Sequence, residues 1–240
     1  MISKVKAYLK ELRDTNRELL LHSKEIEWAH VYHDSIRGIE WIENQPLNIG
    51  RWAGNYTFFY LLNRVLHDYK PNKVLEFGLG ESSKFTSLYL DNYLLNSKHL
   101  IIEHSEDWKT NFIRNFNLSS RSEIKICPLI IKNIEGYQSK SYSKLEDVTE
   151  EKFDLYIIDG PFGSNNYSRY DIIEFAEKFT KNDEFIILFD DYNRNGEKET
   201  VKYLMNLLDK LSIKYYTEIY KGNKDVLVIV TEKYKYVKSL

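Results

Sequence analysis

Beyond Pro71 the sequence alternates short apolar runs with longer amphipathic stretches, and this rhythm restricts the fold more than any other feature. Five runs stand out, at residues 73–77, 99–103, 123–127, 153–158 and 184–189. Their length suits strands rather than helices, and mostly unbroken apolar character suits strands covered on both faces. Helical patterns follow the first, second, fourth and fifth runs, at 82–95, 106–115, 169–180 and 197–211. Such alternation builds an α/β, doubly wound sheet with parallel strands at its centre. Between the third and fourth runs lies a polar stretch, 133–152, with one short helix expected near Leu145. Residues 213–220 and 225–231, separated by Lys221-Gly-Asn-Lys224, read instead as a hairpin that closes the sheet with an antiparallel pair.

A chain of 240 residues supports one well-buried core with a modest extension. We divide it into an N-terminal helical annex, 1–70, and a main domain, 71–240. In the annex Ile2, Val5, Leu9, Leu12, Leu19 and Ile26 recur at three- and four-residue steps, which predicts a helix over 2–29 with one apolar face. That face must be covered by the main domain or by a sister chain, and the second alternative would make a homodimer. A second helical pattern runs through Phe59, Leu62 and Leu66 and closes at Pro71.

The formal charge of -2 provides no basic field for a nucleic-acid backbone, which argues against nucleic acid as a partner. Residues 1–30 carry charges every few positions and have no continuous apolar core, so neither a signal peptide nor a membrane span is expected. The single cysteine, Cys127, excludes an intramolecular disulfide and reads as a buried core thiol. A cytoplasmic protein is expected.

The strongest chemical motif is Val74-Leu-Glu-Phe-Gly-Leu-Gly80, followed by Glu81-Ser-Ser-Lys84 at a helix start. Its glycines permit a tight turn and close approach of backbone to ligand, and the helix N-terminus offers free N–H groups to an anionic moiety. A nucleotide-like cofactor follows. The dinucleotide pattern wants a third glycine, and Ser83 stands there instead. The second run ends in Ile101-Ile-Glu-His104, so Glu103 is placed to accept both hydroxyls of an adenosine ribose, with His104 beside it. Alone, Glu103 would read as an ordinary strand-end carboxylate; its agreement with the glycine turn favours the ligand role.

The fourth run ends in Asp159-Gly-Pro-Phe-Gly163 and the fifth in Asp190-Asp-Tyr-Asn-Arg194. In an open α/β sheet the crevice beyond the carboxyl ends of the strands binds ligand, so Asp159, Asp190 and Asp191 should converge there. They could hold a hard divalent cation, supply a general base, or cap the following helices. Arg169 and Arg194 form a second layer that would suit an anionic acceptor or lie solvated at the surface.

Over Pro71 to about Lys233 the chain resembles the class I S-adenosylmethionine-dependent methyltransferases, on Glu76-Phe-Gly-Leu-Gly80, Glu103, Asp159-Gly-Pro161, Asp190-Asp191 and the terminal hairpin. The resemblance implies a Rossmann-like seven-stranded sheet of order 3-2-1-4-5-7-6 with its last strand antiparallel. It also implies S-adenosylmethionine contacts from Glu76, Phe77, Gly78, Gly80, Ser82, Ser83, Glu103, His104 and Asp159, and methyl transfer to a small polar acceptor. Phe77-Gly-Leu-Gly80, Ile102-Glu103 with Glu106 and Trp108, Asp159-Gly-Pro161 with Arg169, and Asp191-Tyr-Asn-Arg194 are similar to the motif set of the glucuronoxylan 4-O-methyltransferase family. Asp190 replaces the histidine which that family carries before the aspartate ending strand five. Asp159, Asp190 and Asp191 also resemble the metal ligands of the catechol-type O-methyltransferases, with Asp191 in an asparagine's place. The lysine base that follows the strand-four aspartate in that family is absent. These likenesses imply a divalent cation, Mg or Mn, on Asp159, Asp190 and Asp191. They also imply a sugar or glycan hydroxyl as acceptor, with Arg169 and Arg194 as its contacts.

A nicotinamide-dependent oxidoreductase shares the strand, the glycine turn and the acidic strand-two residue, but it should carry the third glycine and a Tyr-x-x-x-Lys set, and neither is evident. Asp159-Gly-Pro-Phe162 differs from the Asp/Asn-Pro-Pro motif of amino-group methylation, since Gly160 separates aspartate from proline. A non-catalytic partner subunit that keeps the fold remains a third reading, against which Glu76, Glu103 and the three aspartates speak.

Overall fold

The computed structural model describes residues 2–50 and 52–240. Strands β1 (Lys73–Phe77), β2 (Lys98–Glu103), β3 (Ser122–Ile126), β6 (Leu155–Ile158), β7 (Ile186–Phe189), β8 (Tyr215–Tyr220) and β9 (Val226–Thr231) form one sheet. Its order is β3-β2-β1-β6-β7-β9-β8. Neighbours are parallel from β3 to β7, whereas β9 is antiparallel to both β7 and β8. With the separate hairpin of β4 (Leu129–Ile134) and β5 (Tyr137–Tyr142) left aside, this is the expected 3-2-1-4-5-7-6 sheet. The central strands β6, β7 and β9 are buried at every position, as helices on both faces require. Among the described residues no helix is long and apolar enough to cross a membrane.

One face is covered by α3 (Tyr56–Arg64) and α4 (Glu81–Asn92), whose Phe58, Phe59, Leu62, Phe85 and Tyr89 share a core with Val74, Leu155, Ile186 and Val228. The other face is covered by α7 (Ile172–Ala176) and α8 (Asn195–Lys210), with Phe175, Val201 and Leu204 packed on Phe77, Ile158 and Phe189. Helix α5 (Glu106–Asn115) flanks the β2–β3 edge, where Phe112 meets Ile101. Cys127 is buried in the core beneath α7 and α8, as expected for a structural thiol.

Helix α1 runs from Ile2 to Ile36, longer than the stripe over 2–29 predicts, because Tyr32 and Ile36 add another buried turn before Gly38 ends it at φ 79°. Its second half is tied down by polar anchors. Glu25 accepts from Tyr56 N–H at 2.7 Å and Asn55 Nδ2 at 2.9 Å, and Trp28 Nε1 donates to the Lys221 carbonyl at 3.0 Å. Asn55 also caps α3 by accepting from Phe58 N–H, which satisfies one of the helix's free N-terminal donors. The short α2 (Glu40–Glu43) buries Ile42 in the same core.

Two segments differ from the sequence reading. The polar stretch 133–152 contains not only the short helix, α6 (Glu146–Thr149), but also strand β5, which turns through Glu135 and Gly136, both at positive φ. The buried side of β5 is Ser139 and Ser141, so its alternation is not marked by apolar residues. The helix expected over 169–180 is only Ile172–Ala176, because Tyr167 and Arg169 take left-handed backbone, φ 46° and 57°, and Arg169 turns inward.

Candidate active site

The carboxyl ends of β1, β2, β6 and β7 meet at one rim. After β1 the chain turns at Gly78, φ 99°, a conformation that strains any residue with a Cβ. The loop after β6 presses against it: a Cβ on Gly160 would lie 2.6 Å from Tyr142 Oη and 2.9 Å from Gly78 N. Glycine at both positions lets the two strand ends approach. Ser83 Oγ accepts the Gly80 N–H at 3.0 Å, so the side chain standing where a dinucleotide pattern has glycine closes the turn onto itself. Trp108 Nε1 donates to the Leu79 carbonyl at 2.7 Å and fixes the turn from α5.

Glu76 is buried and faces inward, accepting from Ser82 Oγ and lying 2.9 Å from His99 Nε2. It therefore holds the start of α4 against the sheet rather than opening onto the crevice. Ser82 is spent on the same contact. Glu103 Oε2 accepts the Leu79 N–H at 3.0 Å, and Oε1 accepts those of His104 and Ser105 at 2.7 and 2.8 Å. Its carboxylate is thus oriented by three backbone donors at the mouth of the turn. The His104 ring stands edge-on to Phe162, centroids 4.8 Å apart, and Phe162 is largely exposed.

Asp159, Asp190 and Asp191 come together as the strand ends predict, each offering an oxygen within 4.8 Å of the others. Asp190 and Asp191 are buried and Asp159 partly so. Arg169 lies among them. Its Nη1 donates to the carbonyls of Ile158 and Asp190 at 3.2 and 2.9 Å, and its Nη2 to Asp159 Oδ1 and Asp191 Oδ2 at 3.2 and 2.7 Å. Sequence offers Arg169 as an acceptor contact; in the structure its guanidinium is buried, with both Nη atoms donating to its own chain. Arg194 remains half-exposed, 2.9 Å from Asp191 Oδ2. Lys224 Nζ lies 3.9 Å from Asp190 and 3.7 Å from Asp191, and Glu197 lies 3.9 Å from both arginines.

Among the described residues four carboxylates thus face three cations, an excess of one negative charge that a proton or a further cation would balance. Burial, with the Asp191 charge next to it, pushes Asp190 up to about 6. Burial, then the Asp190 charge, pushes Asp159 well above the usual carboxylate range. Both oxygens of Asp190 and Oδ1 of Asp191 are buried without a hydrogen-bond partner among the described residues. Orphaned oxygens in that arrangement fit a hard cation, which takes oxygen ligands.

The sequence matches no protein-family model and no curated protein. Among solved structures it is similar to an O-methyltransferase from Bacillus cereus in complex with S-adenosylhomocysteine, at 15% identity and TM-score 0.52, covering 85% of this chain and 91% of that one. It is also similar to the O-methyltransferase TomG from Streptomyces achromogenes, involved in tomaymycin synthesis, in complex with S-adenosylmethionine. There the identity is 10%, the TM-score 0.50, and coverage 84% and 89%. The likeness is one of fold.

Several site residues have no signal in the sequence. Lys224 reaches the aspartates from the turn of the terminal hairpin, and Glu197 reaches Arg169 and Arg194 from the first turn of α8. Tyr142 comes from the unexpected hairpin, where its ring stacks on Phe77 and its backbone N–H donates to Asp171 at 2.8 Å. Phe162 was visible only as a neighbour of Asp159.

Proposed function

We propose that this protein is an S-adenosylmethionine-dependent methyltransferase acting on a hydroxyl oxygen of a small polar acceptor, such as a sugar or glycan. The observation that carries the reading is the meeting, at one sheet edge, of the glycine turn with its oriented Glu103 and the Asp159–Asp190–Asp191 cluster. Both similar structures hold a ligand of this class, and the reading extends that class to this chain. The self-closed Ser83–Gly80 turn favours it over a dinucleotide, because a pyrophosphate needs that space.

In this reading Glu103 accepts the ribose hydroxyls, Phe77, Gly78, Gly80 and Ser83 shape the turn beside the methionine end, and His104 with Phe162 lines the adenine side. Glu76 and Ser82 act by holding α4 in place. Bound S-adenosylmethionine supplies a methyl on a sulfonium, so the acceptor oxygen gains the methyl and the sulfur keeps the electron pair of the broken bond. The chain has then to align the acceptor and remove its proton. Asp190, raised by burial, accepts that proton, with Asp191 and Asp159 orienting the hydroxyl. In a metal-assisted version the same three carboxylates would hold a divalent cation that lowers the hydroxyl's pKa. Arg194, half-exposed and paired with Asp191, keeps guanidinium donors at the rim that could meet an anionic group of the acceptor, such as a uronic acid, provided the excess carboxylate charge is met by a proton or a cation. Arg169 positions Asp159 and Asp191.

Calorimetric titration of the purified protein with S-adenosylmethionine and with NAD tests the core of this. Binding of the first and not the second is expected. NAD binding without S-adenosylmethionine binding would overturn the reading in favour of an oxidoreductase.

A further inference from the structure

The first helix carries an apolar seam that none of the other described residues covers. Residues 4–20 of α1 are all exposed, and Val5, Leu9, Leu12, Leu19 and Ile26 are each 42 to 62% exposed. With Ile2, Asn16 and Ser23 they alternate steps of three and four, the a and d positions of a heptad kept through Ile26. Where α1 does rest on its own domain it uses Leu21, Glu25, Trp28, Tyr32 and Ser35, on the far side of the helix, about 160° around the axis from the seam. Among the described residues the seam is therefore free from Val5 to Ile26. A helix standing alone in water is marginal over such a length, and its stability comes from covering an apolar face.

We propose that two copies of this chain associate through α1 as a parallel, two-stranded coiled coil, with Asn16 paired to Asn16 across the seam. Charge and polarity select the orientation. In the parallel pairing the flanking positions bring Tyr8 beside Arg13, Thr15 beside Leu20 and His22 beside Glu27, with no like charges in contact. An antiparallel pairing centred between Leu9 and Leu12 puts Lys6 against Arg13 and Asn16 against Val5. Centred between Leu12 and Asn16, it puts Arg13 against Arg13 and Asn16 against Leu12. Either leaves a buried amide facing an apolar side chain, at the cost of its lost hydrogen bonds. In the parallel pair the two amides satisfy each other and fix the register. Each domain, held on the opposite face of its helix, then sits outside the coil.

The test uses the full chain. Sedimentation equilibrium should give a dimer; a monomer at micromolar concentration overturns the proposal. Leu19→Cys should form an interchain disulfide on mild oxidation, since d positions face their own counterparts only in the parallel pair. The wild type, whose Cys127 is buried, serves as its control. A dimeric Leu19→Cys protein that does not crosslink overturns the orientation. The double variant Leu12→Asp, Leu19→Asp should be monomeric with the domain's thermal unfolding retained. A dimer that survives it overturns the seam as the interface.

Discussion

Arg169 Nη2 meets Asp191 Oδ2 at 2.7 Å, and both residues hold left-handed backbone, φ 57° and 58°. Each such conformation costs a non-glycine residue roughly 1 to 3 kcal/mol, so the ion pair joins two strained strand-end loops. Arg169→Gln should leave Asp159, Asp190 and Asp191 facing one another without their internal cation. Breaking a buried pair in this way costs about 3 to 5 kcal/mol. Arg194→Gln, at a half-exposed site, should cost less than about 1 kcal/mol. Urea midpoints at constant m-value measure both, and equal small losses would show that Arg169 is not the keystone of the cluster.

Glu103 is oriented by the amides of Leu79, His104 and Ser105 before any ligand arrives. Replacing it with Ala should weaken S-adenosylmethionine binding by on the order of 2 to 4 kcal/mol, the worth of two charge-assisted hydrogen bonds. Glu103→Gln keeps an acceptor for Leu79 but loses the charge, so its affinity should fall between wild type and Ala. Calorimetry that finds the Ala variant binding as tightly as wild type would remove Glu103 from the ribose site.

Elements whose burial is apolar were legible in the sequence. β1 and α5 keep their predicted limits and the terminal hairpin follows from the same pattern, whereas the sheet order was implied by the family resemblance. β5 was not legible because its inner face is serine. The cluster of Asp159, Asp190 and Asp191 could be anticipated because parallel strands bring their carboxyl ends to a common edge. What fills that cluster could not. The inward turn of Arg169 depends on a left-handed backbone that no local motif announces, and the approach of Lys224 depends on where a distant hairpin folds back. The annex was legible as one sticky helix, but Tyr32 and Ile36, flanked by His30, His33 and Asp34, hid its last buried turn.

Asp171 gives the fold a pH dependence separate from the rim. It accepts the Tyr142 N–H at 2.8 Å with one oxygen, while the other is buried without a partner among the described residues. Burial pushes its pKa from 3.8 up to about 7. The native state therefore keeps a proton that the unfolded chain gives up, and stability falls as pH rises between those two values. Asp171→Asn cannot lose that proton. Relative to the variant, wild type should lose at most about 4 kcal/mol between pH 4 and 7 and little more above it. Thermal melts of both proteins across this range check the sign. A difference independent of pH would mean that the buried carboxyl does not titrate on unfolding.

The last prediction concerns turnover. If Asp190 takes the acceptor's proton, its carboxylate must be ionised, and burial pushes its pKa up to about 6. The rate kcat should then rise as pH climbs through about 6 and level off above it. Asp190→Asn removes the base and should lower kcat by roughly two orders of magnitude or more while S-adenosylmethionine affinity is kept, the mark of a group acting in the transition state. Asp191→Asn should lower kcat by a similar factor if Asp191 orients the hydroxyl as proposed. Chelation separates the two versions of the site. A lone carboxylate base keeps its activity in excess chelator, whereas a cation-assisted site loses it and regains it with Mg or Mn. Near-normal kcat in both variants, measured with an acceptor the wild type methylates, would leave the aspartates as loop-end groups that only hold Arg169 and Lys224.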